Sequence, residues 1–235
     1  MILFISIAPM HAHAKKAKAN LYLTPEEIEE IRKGTACRNL VKQFFKLQDS
    51  MGEKGLVSDF YELKILPTNS LVADKKGKYY VVYLKDAAQS ARFKYPGGQY
   101  VIRDFKSRFR RSISAFVREV LAVIEGGAEY ELYVRGSSSA SPMTTKRKLL
   151  PAHNYSKIEY LGKINDEEFA STPLLGREIS KAYDNDDLPY LRAAFLKDIV
   201  HRYYPLKEPK ILQSNVAESA DAGAQYAEMV LYVDW

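Results

Sequence analysis

Apolar positions recur at helical spacing in three stretches of the chain, and these stretches predict three helices. The first begins at the capping sequence Thr24–Glu27 and continues to Gly52. The second runs from Phe105 to Ile124, with basic residues opposite its apolar stripe, and the third spans 188–200 before Pro205. The apolar face of the first helix suits burial in a core, and it equally suits pairing with a second copy of the chain.

Elsewhere apolar and polar residues alternate, which predicts strands. Strands at 61–65 and 79–84 flank the turn residues Asp74–Gly77 and predict a hairpin. Further strands are expected at 91–95, 129–135, 211–216 and 226–233. Residues 142–184 are polar, contain three prolines and show little pattern, so we expect a long insertion there.

Composition narrows the class of protein. The chain has 235 residues, of which 46% are hydrophobic and 27% charged, an ordinary globular balance. A single cysteine excludes a disulfide framework within the chain and a cysteine-based zinc site. No apolar run is long enough for a membrane-spanning helix.

Charge is distributed unevenly along the chain. Residues 1–150 hold 26 Lys and Arg against 15 Asp and Glu, whereas residues 151–235 hold 9 against 14. The two halves could dock on each other, or the basic half could face an anionic partner. Because no zinc-finger spacing, RNP-like strand or Arg/Gly repeat accompanies the basic half, we expect no nucleic-acid partner.

The N-terminus has features of an export signal. An apolar run, Met1–Met10, precedes Ala12-His13-Ala14 and then three lysines that begin at Lys15. Small residues at these positions before a charged stretch are what signal peptidase accepts. We therefore predict a signal peptide over residues 1–14, although an apolar tail without a targeting role is an alternative.

The second half of the chain resembles the OmpA-like domain, the peptidoglycan-associating module of bacterial envelope proteins. Part of this resemblance lies in the element order from Ala91 onward, in the turn Phe93–Gly98 and in the strand end Leu132–Gly136. Its most specific part is Asn185-x-x-Leu188-Pro189-x-x-Arg192-Ala193-x-x-Leu196. This run is similar to the family's Asn-x-x-Leu-Ser-x-x-Arg-Ala-x-x-Val, with Pro189 in place of the serine.

The resemblance implies an α+β fold, an OmpA-like βαβ-αββ sandwich of helices on a mixed sheet. It gives a domain over 91–235 with the 142–184 insertion, after a signal peptide at 1–14 and a helical and β-hairpin region at 15–90. It also implies four ligand-binding residues: Arg192, Asn185, Ser137 and Ser139. Ser137 and Ser139 stand where the family has histidine and aspartate.

The resemblance implies that the site binds a diaminopimelate of the wall peptide by pairing with its charged groups. An arginine can clamp its carboxylate through two charge-assisted hydrogen bonds, and an aspartate can hold its ammonium. A serine at the aspartate position removes the second charge pairing, at a cost of about 1.5–3 kcal/mol. As structural alternatives, Arg192 could pair with Asp186 or Asp187, and the serines could form a flexible turn.

Two functions follow as expectations. The first is a non-enzymatic, exported protein of the bacterial periplasm or envelope that contacts a peptidoglycan stem peptide or a related envelope ligand. The second is an assembly protein that has lost wall binding and holds an envelope protein through its N-terminal helices. No hydrolase, metalloprotease or phosphate-binding motif occurs, so we expect no catalysis, cofactor or metal.

Overall fold

The computed structural model describes residues 56–57, 60–66, 71–72, 75, 77–86, 91–102, 105–121, 124–125, 127–141, 143–163, 174–218 and 225–234. The predicted signal peptide, the helix from Thr24 to Gly52 and Cys37 lie outside these residues. The fold is α+β, with two helices and a mixed sheet.

The strands, numbered in chain order, are as follows: β1 Leu56–Val57, β2 Tyr61–Ile65, β3 Lys78–Asp86, β4 Ala91–Arg92, β5 Glu129–Ser138, β6 Arg147–Lys148, β7 Lys157–Tyr160, β8 Leu175–Glu178, β9 Ala182–Tyr183, β10 Lys210–Ile211, β11 Asn215–Val216 and β12 Ala227–Asp234. Helix α1 covers Phe105–Phe116 and continues as a π-helical turn over Val117–Leu121. Helix α2 covers Leu188–Tyr203.

The main sheet has the order β1-β2-β3-β12-β5-β10. Its neighbours run antiparallel except β10, which pairs with β5 in parallel, as does the short β11. The predicted hairpin is confirmed as β2 and β3, with Leu63 opposite Val82.

The sheet is covered on both faces, which explains why its central strands are almost continuously apolar. On one face, α1 and α2 pack over a core that contains Leu63, Val82 and Leu231. On the other face, Tyr79, Tyr133 and Tyr232 belong to a second buried cluster with Leu161, Leu212 and Val230.

The predicted helices at 105–124 and 188–200 are confirmed. The apolar stripe of α1 is buried from Phe109 through Ile113 to Leu121, while Arg110 and Arg118 are exposed. In α2, Pro189 lies in the first turn, where its missing N–H removes no helical hydrogen bond.

The expected strand at 91–95 is wrong in its extent and position. Only Ala91–Arg92 form a strand, and they pair with the end of β3 at the side of the sheet. The long strand before α1 is β3. The sheet therefore contains strands from before and after residue 91, where the resemblance placed the start of the domain. Phe93 and Tyr95 are buried in the core instead.

The insertion at 142–184 is more regular than its sequence indicates. It contains two antiparallel ribbons, β6 with β9 and β7 with β8. Ile158 and Tyr183 reach the main core from these ribbons. The insertion is therefore packed onto the domain rather than looped away from it.

Candidate functional site

Helix α2 lies directly against β5, and Gly136 permits the close approach. A side-chain carbon added at Gly136 would overlap the carbonyl oxygen of Pro189 and lie 3.2 Å from the Ala193 nitrogen. A larger residue would push the helix away from the strand. The contact brings Arg192 to the end of β5.

The Arg192 side chain is fully buried and ties three segments together through backbone carbonyls. Its Nε donates to the Gln99 oxygen at 3.0 Å, and Nη1 donates to the Ser137 oxygen at 2.6 Å. Its Nη2 donates to the Pro96 oxygen at a longer 3.4 Å. The guanidinium carbon lies 5.1 Å from the centre of the Tyr95 ring, within cation–π range.

The electrostatic setting of Arg192 is unusual for a buried charge. No carboxylate in the described part of the chain forms an ion pair with it. Burial lowers the pKa of its guanidinium to about 10, and the nearby Tyr95 and Tyr183 oppose that shift. The group is therefore still charged at neutral pH, although burying an ion without a partner costs several kcal/mol.

The guanidinium retains capacity to donate further hydrogen bonds. It has five N–H groups, and three of them donate to the carbonyls already named. The expected pairing with an acid at the start of α2 is not observed, because Asp187 pairs with Arg177 at 2.8 Å. Arg192 thus holds three segments of the fold together and keeps two N–H groups that donate to none of these carbonyls.

Asn185 fastens the loop that follows β5. Its Nδ2 donates to the Ser139 carbonyl at 3.0 Å, and its own carbonyl accepts from the Ser138 hydroxyl at 3.3 Å. The Ser139 hydroxyl is nearly buried and accepts from Gln225 Nε2 at 3.5 Å. Asn185 and Ser139, which the resemblance implies as ligand-binding residues, line the same pocket as Arg192.

Ser137 is placed differently from the expectation. It continues β5, whose residues alternate between the two sheet faces, and it shares the face of Arg135 rather than that of the helices. Its carbonyl accepts from Arg192, but its hydroxyl lies beside the Tyr226 hydroxyl on the other face. The neighbouring Ser138 therefore takes its place among the pocket residues. The expected turn here is instead strand, because β11 pairs with it.

These groups surround a pocket of about 230 Å³. Its walls come from the turn at 97–98, the loop after β5, the segment 143–147 and the first turns of α2. Its polar lining consists of hydroxyl, amide and guanidinium groups, and no described residue that lines it carries a carboxylate. Pockets for drug-sized ligands measure about 300–1,000 Å³, so this one suits a small acid or the end of a longer chain.

A second arginine, Arg147, lines the same pocket. It lies on β6, is exposed and places its guanidinium against Gly98, within 3.0 Å of where a side-chain carbon there would lie. Gly98 has a φ of 64°, which favours glycine, and the Gln99 nitrogen donates to the Pro96 oxygen across this turn at 3.0 Å.

Sequence reasoning did not identify Arg147, Gln225 or the turn glycines as site residues. Arg147 lies in the polar insertion, and only the pairing of β6 with β9 brings it to the pocket. Its one sequence signal is its position in the basic run Lys146–Lys148. That run indicates charge but no location.

The described residues contain no group of three or more His, Cys, Asp or Glu side chains that could hold a metal ion. Neither helix there is long and apolar enough to cross a membrane.

Comparison with known proteins gave no match: no family model, no curated protein and no solved structure matches this chain. The fold and the site on their own define an α+β domain with a mixed sheet and a small, cationic, polar pocket.

Proposed function

We propose that this protein is a non-enzymatic component of the bacterial cell envelope. In this proposal a divergent OmpA-like domain contacts a peptidoglycan stem peptide, or a related envelope ligand, through the pocket around Arg192. The observation that carries the proposal is a buried, charged arginine at the wall of a polar pocket, with no carboxylate partner among the residues that the structure describes.

The order of the elements supports the proposal. From β3 the chain runs strand, helix, strand, helix, strand, strand through α1, β5, α2, β10 and β12 when the two ribbons and the two-residue strands β4 and β11 are set aside. That is the order which the resemblance implies, with β3 as its opening strand. The residues of the motif from Asn185 to Leu196 include both Asn185 and Arg192, which line the pocket.

The chemistry of the pocket suits a carboxylate. A carboxylate that accepts from the remaining Arg192 N–H groups would give the buried guanidinium the opposite charge that no described residue provides. Hydrogen bonds to charged groups contribute about 1.5–3 kcal/mol each. One such contact changes affinity by roughly one to two decades.

Co-sedimentation of the full chain with purified peptidoglycan sacculi tests the proposal. We expect retention of the natural protein and about tenfold weaker retention of Arg192→Lys, because lysine keeps the charge but loses the planar fork. Arg202→Lys is the matched control, since Arg202 is exposed near the end of the same helix. Absence of retention of the natural protein, or equal retention of the folded Arg192→Lys variant, would contradict the proposal.

Export is a separate part of the proposal. If residues 1–14 form a signal peptide, mass spectrometry of the protein from its native host will find Lys15 at the mature N-terminus. An intact Met1 in the cytosolic fraction would contradict both export and the envelope setting.

A second candidate is an assembly protein that holds an acidic envelope partner. Arg110, Arg111 and Arg118 are exposed on α1, and none of them forms an ion pair with a described residue. Basic side chains on one helix suit an acidic protein surface. Two results together would favour this candidate: sacculi do not retain the protein, and the natural chain captures an envelope protein that Arg111→Glu no longer captures.

A further inference from the structure

The two charged side chains among the described residues that line the pocket are both positive, and Asp184, next to the lining residue Asn185, pairs with Lys146. Arg192 lies at its buried wall and Arg147 at its exposed wall, and both flank the turn at 97–99. The other polar side chains that line it are neutral, among them Ser139, Asn185 and Gln225.

Arg147 is available for a ligand. Its neighbour Lys146 pairs with Asp184 at 3.5 Å, whereas Arg147 forms no ion pair with any described residue. The pairing of β6 with β9, in which Arg147 lies opposite Tyr183, fixes its backbone beside the pocket. The position of Arg147 is therefore built into the fold.

We propose that the pocket selects a small ligand with two acidic groups and no ammonium, in which Arg192 holds the inner acid and Arg147 the outer one. This proposal rests on the proposed function, since it takes the same pocket as the binding site. It names the class of ligand that the site accepts.

The same lining side chains disfavour an ammonium group in the ligand. An ammonium in this pocket would leave water for neutral hydroxyl and amide acceptors, and it would lie near two guanidinium groups. A second carboxylate would instead meet a second guanidinium. On a wall peptide, this selection favours an end whose amine has been acylated over one whose amine is free.

Pimelate and meso-diaminopimelate provide a matched pair of probes, because they share the carbon skeleton and both carboxylates and differ in two ammonium groups. By isothermal titration of the full chain, we expect pimelate to bind at least about tenfold more tightly than meso-diaminopimelate. Arg147→Ala should weaken pimelate binding about tenfold, whereas Arg202→Ala, at an exposed position near the end of α2, should leave it unchanged.

A variant with an added carboxylate tests whether the charge of the pocket decides which of the two probes binds more tightly. Ser139→Asp adds a carboxylate beside Arg192, so it should weaken pimelate binding and strengthen binding of meso-diaminopimelate. If that variant fails to fold by circular dichroism, Ser141→Asp adds the carboxylate at an exposed position of the same pocket.

The outcomes separate the two proposals. Equal or tighter binding of meso-diaminopimelate, or no binding of pimelate, overturns the proposed selection even if sacculi retain the protein. Tight pimelate binding without retention on sacculi supports the selection and contradicts the wall proposal.

Discussion

Arg192 has one structural task and, in our proposal, one binding task, which a single side chain can combine because the guanidinium has five donors. Three hydrogen bonds to the carbonyls of Pro96, Gln99 and Ser137 hold the turn before α1 against the end of β5. We propose that the remaining donors and the charge bind a ligand. The ligand role and the structural role therefore do not exclude each other.

The structural task gives a stability prediction. Arg192→Met keeps most of the side-chain volume but removes the Arg192 donor from the carbonyls of Gln99, Ser137 and Pro96, of which Pro96 still accepts from the Gln99 N–H. We expect the free energy of unfolding, measured by urea titration, to fall by about 2–4 kcal/mol. Arg202→Met on the exposed side of the same helix should change it by less than about 0.5 kcal/mol. Equal stability of Arg192→Met and the natural protein would show that these bonds do not support the fold.

At this scale the sequence indicates Arg192, Asn185 and Ser139 correctly as neighbours, because one motif and one loop contain them. It misplaces Ser137, since the strand continues three residues beyond the expected end at residue 135 and each step turns the side chain to the other face. It misses Arg147, whose position depends on a pairing between residues 147 and 183 that no local pattern records.

The element that positions the site is α2, packed on β5 through Gly136. The near contact of Gly136 with Pro189 and Ala193 leaves no room for a larger residue. Hydrophobic periodicity predicts α1, α2, β5 and β12, because each buries a regular face against the core. It cannot predict that the sheet strand before α1 is β3 rather than the segment from Ala91, because strand order is decided by tertiary pairing.

Gly136→Ala tests this packing. The added carbon would displace α2 from β5, so we expect a loss of about 2–3 kcal/mol in the free energy of unfolding and weaker ligand binding. Gly176→Ala is the matched control, because no atom lies within 4 Å of the carbon that it would add. If both variants unfold at the same urea concentration, the close approach of α2 to β5 is not a determinant of the fold.

The whole molecule buries many tyrosines on both faces of its sheet. Burial raises the pKa of the hydroxyls of Tyr79 and Tyr190 to about 12, and burial also raises the pKa of Tyr61, Tyr133 and Tyr204. The rings of Tyr79 and Tyr232 lie 5.1 Å apart in the cluster that α1 and α2 do not cover. These hydroxyls stay protonated in the folded protein at a pH that ionises them in the unfolded chain.

Alkaline stability follows from that difference. Below pH 10 both states keep the tyrosine protons, and the stabilisation is complete. As the pH rises from 10 to 12, only the unfolded chain loses them, so each such tyrosine removes about 1.4 kcal/mol per pH unit. Arg192, whose pKa burial lowers to about 10, acts in the opposite direction but is a single group.

Urea unfolding at several alkaline pH values measures this slope. We expect a steep fall in the free energy of unfolding above pH 10 and a shallower fall for Tyr79→Phe, which lacks one of the buried hydroxyls. A free energy that stays constant to pH 12 would contradict the burial of these hydroxyls.

Charge at the scale of the molecule does not explain the site. The excess of basic residues in 1–150 includes exposed arginines on α1, whereas the pocket depends on two particular guanidinium groups, one of them buried. We therefore expect recognition by local pairing rather than by the overall field.

The binding of a cell-wall acid by Arg192 can be observed in a crystal structure of the full chain with a soluble wall fragment. We expect a carboxylate oxygen of the fragment within about 2.7–3.2 Å of an Arg192 Nη atom. A fragment bound elsewhere on the molecule, or one whose acids contact neither Arg192 nor Arg147, would contradict it.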